Sequence, residues 1–134
     1  MAEAYKFELV SPERLLVSED VEHVIIPGTE GEMTVMARHA PVMTTVKPGV
    51  VTVKAISGEE SRYVVFGGFA DILPEGCTLL AESAVAVKDI DRTDLARRIE
   101  AAKEDVADAK DDMSRTKAEQ FLAQLATLEN ALAA

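Results

Sequence analysis

The residues best able to do chemistry in this chain are its two histidines, His23 and His39, and its single cysteine, Cys77. His39 lies in the stretch Arg38-His39-Ala40-Pro41, where no serine or cysteine is close enough in sequence to suggest a nucleophile–base pair. Two histidines and one cysteine could hold a metal only with help from carboxylates, and their spacing matches no known ligand pattern. The residue types therefore predict neither a catalytic centre nor a metal site.

The element Gly28-Thr29-Glu30-Gly31 has the glycine spacing of a turn that could hold phosphate. It lacks a neighbouring lysine or arginine and carries Glu30 and Glu32 instead, so we interpret it as a tight turn. An acidic string near the C-terminus is either a solvated helix face or a surface for a basic partner. Its members are Glu100, Glu104, Asp108, Asp111 and Asp112.

The formal net charge of −10 disfavours binding to nucleic acid and to anionic lipid head groups. No apolar run reaches the roughly 20 residues that span a bilayer. The stretch Met1–Val10 resembles neither a secretory signal nor an arginine-rich transit peptide. We therefore expect a protein kept in a cytoplasm, or in an organelle that encodes it, without membrane insertion.

The chain changes character once, because all 7 glycines and all 5 prolines lie at or before Gly76. Before that point, short β-branched or apolar runs recur about every ten residues, separated by turn dipeptides such as Pro48-Gly49. This pattern predicts an antiparallel β-sandwich or barrel. Gly67-Gly68 interrupts one run, as either a corner of the sheet or a point where a partner's backbone approaches. The nine runs are Tyr5–Val10, Leu15–Ser18, Val21–Pro27, Glu32–Met36, Val42–Lys47, Val50–Ile56, Arg62–Phe66, Phe69–Leu73 and Cys77–Ala81.

After this point the apolar period becomes helical, which predicts a sandwich domain over residues 1–86 and a two-helix antiparallel hairpin over residues 87–134. Asp91 is the expected N-cap of the first helix. The second helix begins either at a capping box, Thr116-x-x-Glu119, or earlier, near Asp112 or Ser114. The apolar stripes comprise Leu95, Ile99, Ala102, Val106 and Ala109 in the first helix, and Ala118, Leu122, Leu125, Leu128 and Leu132 in the second.

Three segments, taken together, resemble the epsilon subunit family of the F-type ATP synthase. They are Phe7–Glu13, the run from Pro27 through His39-Ala40-Pro41 to Gly49, and Gly67-Gly68-Phe69. The resemblance covers essentially the whole chain. It implies a ten-stranded β-sandwich with two C-terminal helices, and a non-catalytic rotor subunit without a cofactor that joins the gamma subunit to the c-ring. It also implies that the hairpin regulates ATP hydrolysis by reaching towards the beta and alpha subunits.

The family's loop that faces the c-ring corresponds here to two short stretches. Exposed carboxylates and an imidazole on a turn could form hydrogen bonds with the polar loops of a ring. The alternative is that Gly31 and Pro41 only shape the turn. The expected interaction residues are Glu30, Gly31, Glu32, His39, Ala40 and Pro41.

Many bacterial members carry the motif Ile/Leu-Asp-x-x-Arg-Ala, whose arginine helps to bind regulatory ATP. Ile90 and Asp91 match it, but Asp94 and Leu95 stand where the arginine and alanine would be. A carboxylate repels a triphosphate, so we expect that this chain does not bind ATP.

Inhibitory members use basic residues in the last helix, whereas this chain offers only Arg115 and Lys117 near the start of that helix. We therefore expect the hairpin to inhibit ATP hydrolysis weakly.

Three interpretations compete. The first is a coupling rotor subunit, peripheral to the cytoplasmic face of a bacterial inner membrane. The second is a small ATP-binding regulatory module, against which the missing arginine counts. The third is a sandwich enzyme centred on His39, which lacks a second catalytic group.

Overall fold

The computed structural model describes residues 3–133, which form seven β-strands, one 3₁₀ turn (Val87–Asp89) and two α-helices. Internal contacts divide the chain between Lys88 and Asp89, into a β unit and a helical unit. The strands are β1 (Tyr5–Val10), β2 (Leu15–Gly28), β3 (Gly31–Met36), β4 (Val42–Ala55), β5 (Glu60–Leu73), β6 (Gly76–Ala81) and β7 (Ala84–Ala86). The helices are α1 (Arg92–Asp108) and α2 (Asp112–Ala133).

The strands form one sheet in the order β1-β6-β5-β4-β2-β3. Because β1 pairs with both β6 and β2, five of these strands close into a ring, while β3 and β7 lie beside β2 and β5. All pairings are antiparallel except that of β1 with β6, which lie far apart in sequence. The predicted β-sandwich followed by two helices is confirmed.

Three strands of 14 residues each replace pairs of the predicted runs. The turn expected at Pro48-Gly49 is wrong, since both residues lie inside β4 and pair in register with Phe66 and Val65 of β5. Turn residues are only a local preference, which pairing with a distant strand overrides. Along its length β2 changes from β1 to β3, β5 changes from β7 to β6, and β4 gains β2 while it stays paired with β5. Counting the halves of these three strands separately gives the ten strands that the resemblance implied.

The inner face of the sheet is built by alternation along each strand. In β1, Tyr5, Phe7 and Leu9 are buried while the residues between them are more exposed. The buried Tyr5 hydroxyl donates a hydrogen bond to the Val35 carbonyl, so its polar atom is satisfied. The remaining core side chains are Val17, Val21, Val24, Ile26, Val35, Val46, Val51, Val53, Val65, Ala70, Ile72, Cys77, Leu79 and Ala81.

The dipeptide Gly67-Gly68 lies inside β5 at the point where that strand changes partners. Both residues have positive φ, 109° and 143°. A Cβ on Gly68 would lie 2.1 Å from the Leu80 carbonyl oxygen of β6. The backbone that approaches this dipeptide is thus the chain's own, as expected of a corner in the sheet.

The hairpin begins with the predicted N-cap. The Asp91 carboxylate accepts hydrogen bonds from the backbone N–H groups of Thr93 (2.8 Å) and Asp94 (3.3 Å). The capping box at Thr116 is wrong and the earlier start is correct, because α2 begins at Asp112. There the Asp111 carboxylate accepts from the Ser114 N–H at 2.7 Å and caps the helix.

The apolar stripes are buried only over part of their length. Leu95, Ile99 and Ala102 of α1 are buried, as are Leu125 and Leu128 of α2. The other members of the stripes are half-buried. Few large apolar groups are therefore buried in the helical unit, in keeping with a hairpin of modest stability.

We predict that Gly68→Ala lowers the free energy of unfolding of the β unit by about 2–6 kcal/mol. Backbone strain contributes about 1–3 kcal/mol, and the clash with Leu80 about 1–3 kcal/mol more. Gly58→Ala is the matched control, because Gly58 also has positive φ (96°) but a Cβ there meets nothing within 4 Å. Urea unfolding followed by tyrosine fluorescence measures both, since Tyr5 and Tyr63 lie in β1 and β5. Equal losses of unfolding free energy in the two variants would contradict a clash between residue 68 and Leu80.

Candidate functional site

Residues Glu30, Gly31 and Glu32 lie at the tight turn between β2 and β3, where both carboxylates are exposed. Thr29 holds this turn against β4. Its N–H donates to the Thr45 carbonyl at 3.1 Å, and the two threonine hydroxyls lie 2.7 Å apart. Hydrogen bonds to β4 therefore hold in place the turn that carries Glu30 and Glu32.

Residues His39, Ala40 and Pro41 lie in the loop between β3 and β4, with Ala40 and Pro41 exposed and His39 half-buried. The His39 Nδ1 atom lies 2.8 Å from the Ala40 carbonyl oxygen. Because a carbonyl only accepts, this contact places a proton on Nδ1. The imidazole is thus engaged with its own loop and leaves Nε2 for an external partner.

Arg38 lies in this loop with a positive φ of 63°, a backbone conformation that favours glycine. The strain of that backbone conformation is about 1–2 kcal/mol. The Arg38 N–H donates to the Pro74 carbonyl at 3.0 Å, and its guanidinium pairs with Glu3 at 2.9 Å. These bonds hold the loop in a turn that the sequence does not favour locally.

The structure places the two groups of predicted interaction residues at opposite ends of β3. This strand spans 6 residues, so roughly 16 Å separates its ends at about 3.3 Å per residue. Among residues 3–133, no hydrogen bond or ion pair joins the Glu30 turn to the His39 loop. The Glu30 turn and the His39 loop are therefore two separate polar surfaces and not a single site.

Cys77 is buried in the core of the β unit. Burial, with a smaller contribution from the charge of Asp71, raises the pKa of its thiol to about 12. Because only the thiolate is a good nucleophile or metal ligand, Cys77 behaves near neutral pH as a core side chain.

His23, half-buried in β2, pairs in register with Met36 and Lys54. Within the described residues, no group of three or more histidine, cysteine or carboxylate side chains is placed to hold a metal ion.

The positions of the nucleotide motif belong to the start of the hairpin. Ile90 is half-buried, and the carboxylate of Asp91 is occupied in capping α1. Asp94, at the arginine position, pairs with Arg98 at 3.0 Å and lies 3.9 Å from Arg97. The guanidinium of Arg92 donates to the Leu132 carbonyl at 2.8 Å. All three arginines near the motif therefore have partners within the helical unit.

Sequence reasoning missed an exposed apolar face on the outer side of β4, β5 and β6, here called the apolar face. Cross-strand pairing places Phe69 between Thr45 and Leu80 in one row, and Asp71 between Met43 and Thr78 in the next. Its large apolar members are Met43 (68% exposed), Phe69 (53%), Leu73 (41%) and Leu80 (51%).

The sequence contains one indication of the apolar face, which is the occurrence of two apolar residues side by side within a strand. Ile72-Leu73 and Leu79-Leu80 each put one side chain into the core, so the other must point outward. Only the register shows that these outward residues come together.

The comparisons with known proteins agree with this architecture. The family model described as "ATP synthase, Delta/Epsilon chain, beta-sandwich domain" matches residues 4–87. The ATP synthase epsilon chain of Mesorhizobium japonicum is 81% identical over 132 residues, 98% of each chain. That of Chelativorans sp. is 67% identical over 132 residues, again 98% of each chain.

Two solved structures are also similar. One is of the Euglena gracilis mitochondrial ATP synthase, titled as its OSCP/F1/c-ring, with a TM-score of 0.74 and 29% identity over 96% of this chain and 81% of that one. The other, from Tetrahymena thermophila, is titled as the central stalk and c-ring of the mitochondrial ATP synthase. Its TM-score is 0.70 over 98% of both chains, and at 12% identity it shows the fold alone.

The fold and the matched residues define the class of protein, which is a Delta/Epsilon-type β-sandwich domain followed by two helices. At whole-chain identities of this size, the chain belongs to the ATP synthase epsilon chain family. No helix among residues 3–133 has a stretch long and apolar enough to cross a bilayer.

We predict that titration of ATP into the full chain gives no saturable heat in the micromolar range. The charge of Asp94 opposes a triphosphate, and the nearby arginines already have partners. Asp94→Arg restores the arginine of the motif and is expected to bind ATP more tightly than the unaltered chain. Micromolar binding by the unaltered chain would contradict this prediction.

Proposed function

We propose that this chain is the non-catalytic rotor subunit of a bacterial ATP synthase. In this role it links the gamma subunit to the c-ring and couples proton translocation to ATP synthesis. It works at the cytoplasmic face of the inner membrane, peripherally. Membership of the epsilon chain family, and similarity at 29% identity to a chain of an ATP synthase structure that contains F1 and the c-ring, support this role.

The observation that carries the proposal is the apolar face. Exposed single apolar residues are ordinary, but several that share two adjacent rows of a sheet mark a surface that a protein partner covers. We assign the gamma subunit to this face. Binding there would bury Met43, Phe69, Leu73 and Leu80, with each fully covered side chain contributing about 1.5–3 kcal/mol at most.

The c-ring is assigned to the two polar loops, Glu30–Glu32 and His39–Pro41. Hydrogen bonding of Thr29 to Thr45 supports a stiff acidic turn, which loses little entropy on docking. The exposed carboxylates of Glu30 and Glu32 can accept hydrogen bonds from polar ring loops.

The hairpin is assigned a regulatory role towards ATP hydrolysis, with weak inhibition. Of its basic residues near the start of α2, Arg115 already contacts Asp112 and the Ala109 carbonyl, each at 3.5 Å. The acidic residues that precede α2 would repel any acidic surface of a partner subunit.

We predict that Phe69→Ser combined with Leu80→Ser weakens binding of the full chain to a catalytic head that lacks it by about 10- to 1,000-fold. Ile56→Ser is the matched control, because Ile56 is 50% exposed but lies just after the far end of β4. Binding is measured by titration calorimetry, with urea midpoints to show that each variant folds. If the double variant binds as the unaltered chain does, gamma does not use the apolar face.

We predict that Glu32→Lys reduces ATP-driven proton pumping relative to ATP hydrolysis in inverted membrane vesicles that carry the assembled synthase. Reversing this charge replaces an acceptor with a donor at the proposed ring contact. Glu59→Lys reverses the charge of another exposed glutamate, in the turn before β5, and is expected to leave the ratio unchanged. An unaltered ratio in Glu32→Lys would remove this residue from the ring interface.

A further inference from the structure

The apolar face contains one charged residue in its middle. Asp71 is half-buried on the outer side of β5, with Phe69 and Leu73 two positions away on either side along the strand. Met43 of β4 and Thr78 of β6 are its cross-strand neighbours. Cross-strand neighbours are about 4.5–5.5 Å apart at Cβ. Three of the four nearest outward side chains (Met43, Phe69 and Leu73) are therefore apolar, and the fourth, Thr78, carries a hydroxyl.

No basic side chain of the described residues neutralises Asp71. The charged residues on the adjoining part of the outer face are Lys6 and Glu8 of β1, which pair with Gly76 and Thr78 of β6. Neither forms an ion pair with Asp71, and no ion pair within residues 3–133 includes it. In the free chain, water solvates this carboxylate.

Docking of a partner on the apolar face removes that water. A carboxylate covered without a cation or a hydrogen-bond donor costs several kcal/mol, which would cancel the gain from two or more apolar side chains. A partner that binds this face with useful affinity must therefore supply a compensating charge. The chain as a whole is acidic, with a net charge of −10, which also favours a basic partner surface.

We propose that Asp71 is the specificity-determining residue of the apolar face. It pairs with a lysine or arginine of the gamma subunit, on a segment whose neighbouring side chains are apolar and cover Phe69 and Leu80. The apolar contacts supply most of the affinity, and the single ion pair sets which segment binds and in which position. This inference rests on the proposed assignment of gamma to the apolar face.

The test measures binding of the full chain to a catalytic head lacking this subunit, at about 50 mM and about 500 mM NaCl. Asp71→Asn is expected to bind about 10- to 100-fold more weakly at low salt, because it leaves the partner's cation unpaired. Its affinity is also expected to depend less on salt than that of the unaltered chain. Asp71→Glu keeps the charge and is expected to restore most of the affinity and the salt dependence.

Glu60→Gln is the matched control, because it removes one exposed carboxylate at the other end of β5 and gives the same net charge as Asp71→Asn. It is expected to bind as the unaltered chain does. Equal urea midpoints for Asp71→Asn and the unaltered chain separate a lost contact from a lost fold.

Unchanged affinity for Asp71→Asn, or weaker binding with an unchanged salt dependence, would overturn the ion pair. This failure differs from failure of the assignment of gamma to the apolar face, which would appear as normal binding by the Phe69→Ser and Leu80→Ser variant. If the Phe69→Ser and Leu80→Ser variant loses affinity and Asp71→Asn does not, the apolar face stays assigned to gamma and only the ion pair is rejected.

Discussion

The close approach of β5 to β6 at Gly68 is the constraint on which the β unit depends. A Cβ at this position would lie 2.1 Å from the Leu80 carbonyl oxygen, so the two backbones meet where no larger residue fits. The approach lets one 14-residue strand bend and pair with β4 and β7 on one side of the corner and with β4 and β6 on the other. The sheet closes because β1 pairs with both β2 and β6, and closure leaves few open edges.

The corner at Gly68 also determines which side chains of β5 point outward into the apolar face. After Gly68 the strand alternates with Phe69, Asp71 and Leu73 outward and with Ala70 and Ile72 in the core. The outward residues meet those of β4 and β6 in register, which gathers scattered apolar side chains into one face. The surface assigned to gamma thus follows from the element that closes the fold. The two polar loops assigned to the c-ring lie at the two ends of β3 and are held by their own hydrogen bonds.

The helical unit is held by polar contacts near the ends of its helices. Its helices are capped by Asp91 and Asp111, and Arg92 ties the end of α2 to the start of α1. Asp94, which would repel a nucleotide, instead stabilises the first turns of α1 through Arg98. Asp91 and Asp94, at positions that the family resemblance assigned to a nucleotide motif, form a helix cap and an ion pair in this structure.

The sequence by itself determined what depends on short-range patterns. Alternation predicted the strands, the 3.6-residue period predicted the hairpin, and Asp91 was correctly placed as an N-cap, because each rests on a few adjacent residues. Family motifs supplied the loop residues Glu30–Glu32 and His39–Pro41, whose role as ring contacts stays a prediction. Only the tertiary structure decided that Pro48-Gly49 continues a strand, that β1 pairs in parallel with β6, and that Met43, Phe69, Asp71 and Leu80 share one face. The physical reason is that register between distant strands is set by the packing of the whole core, which no local pattern contains.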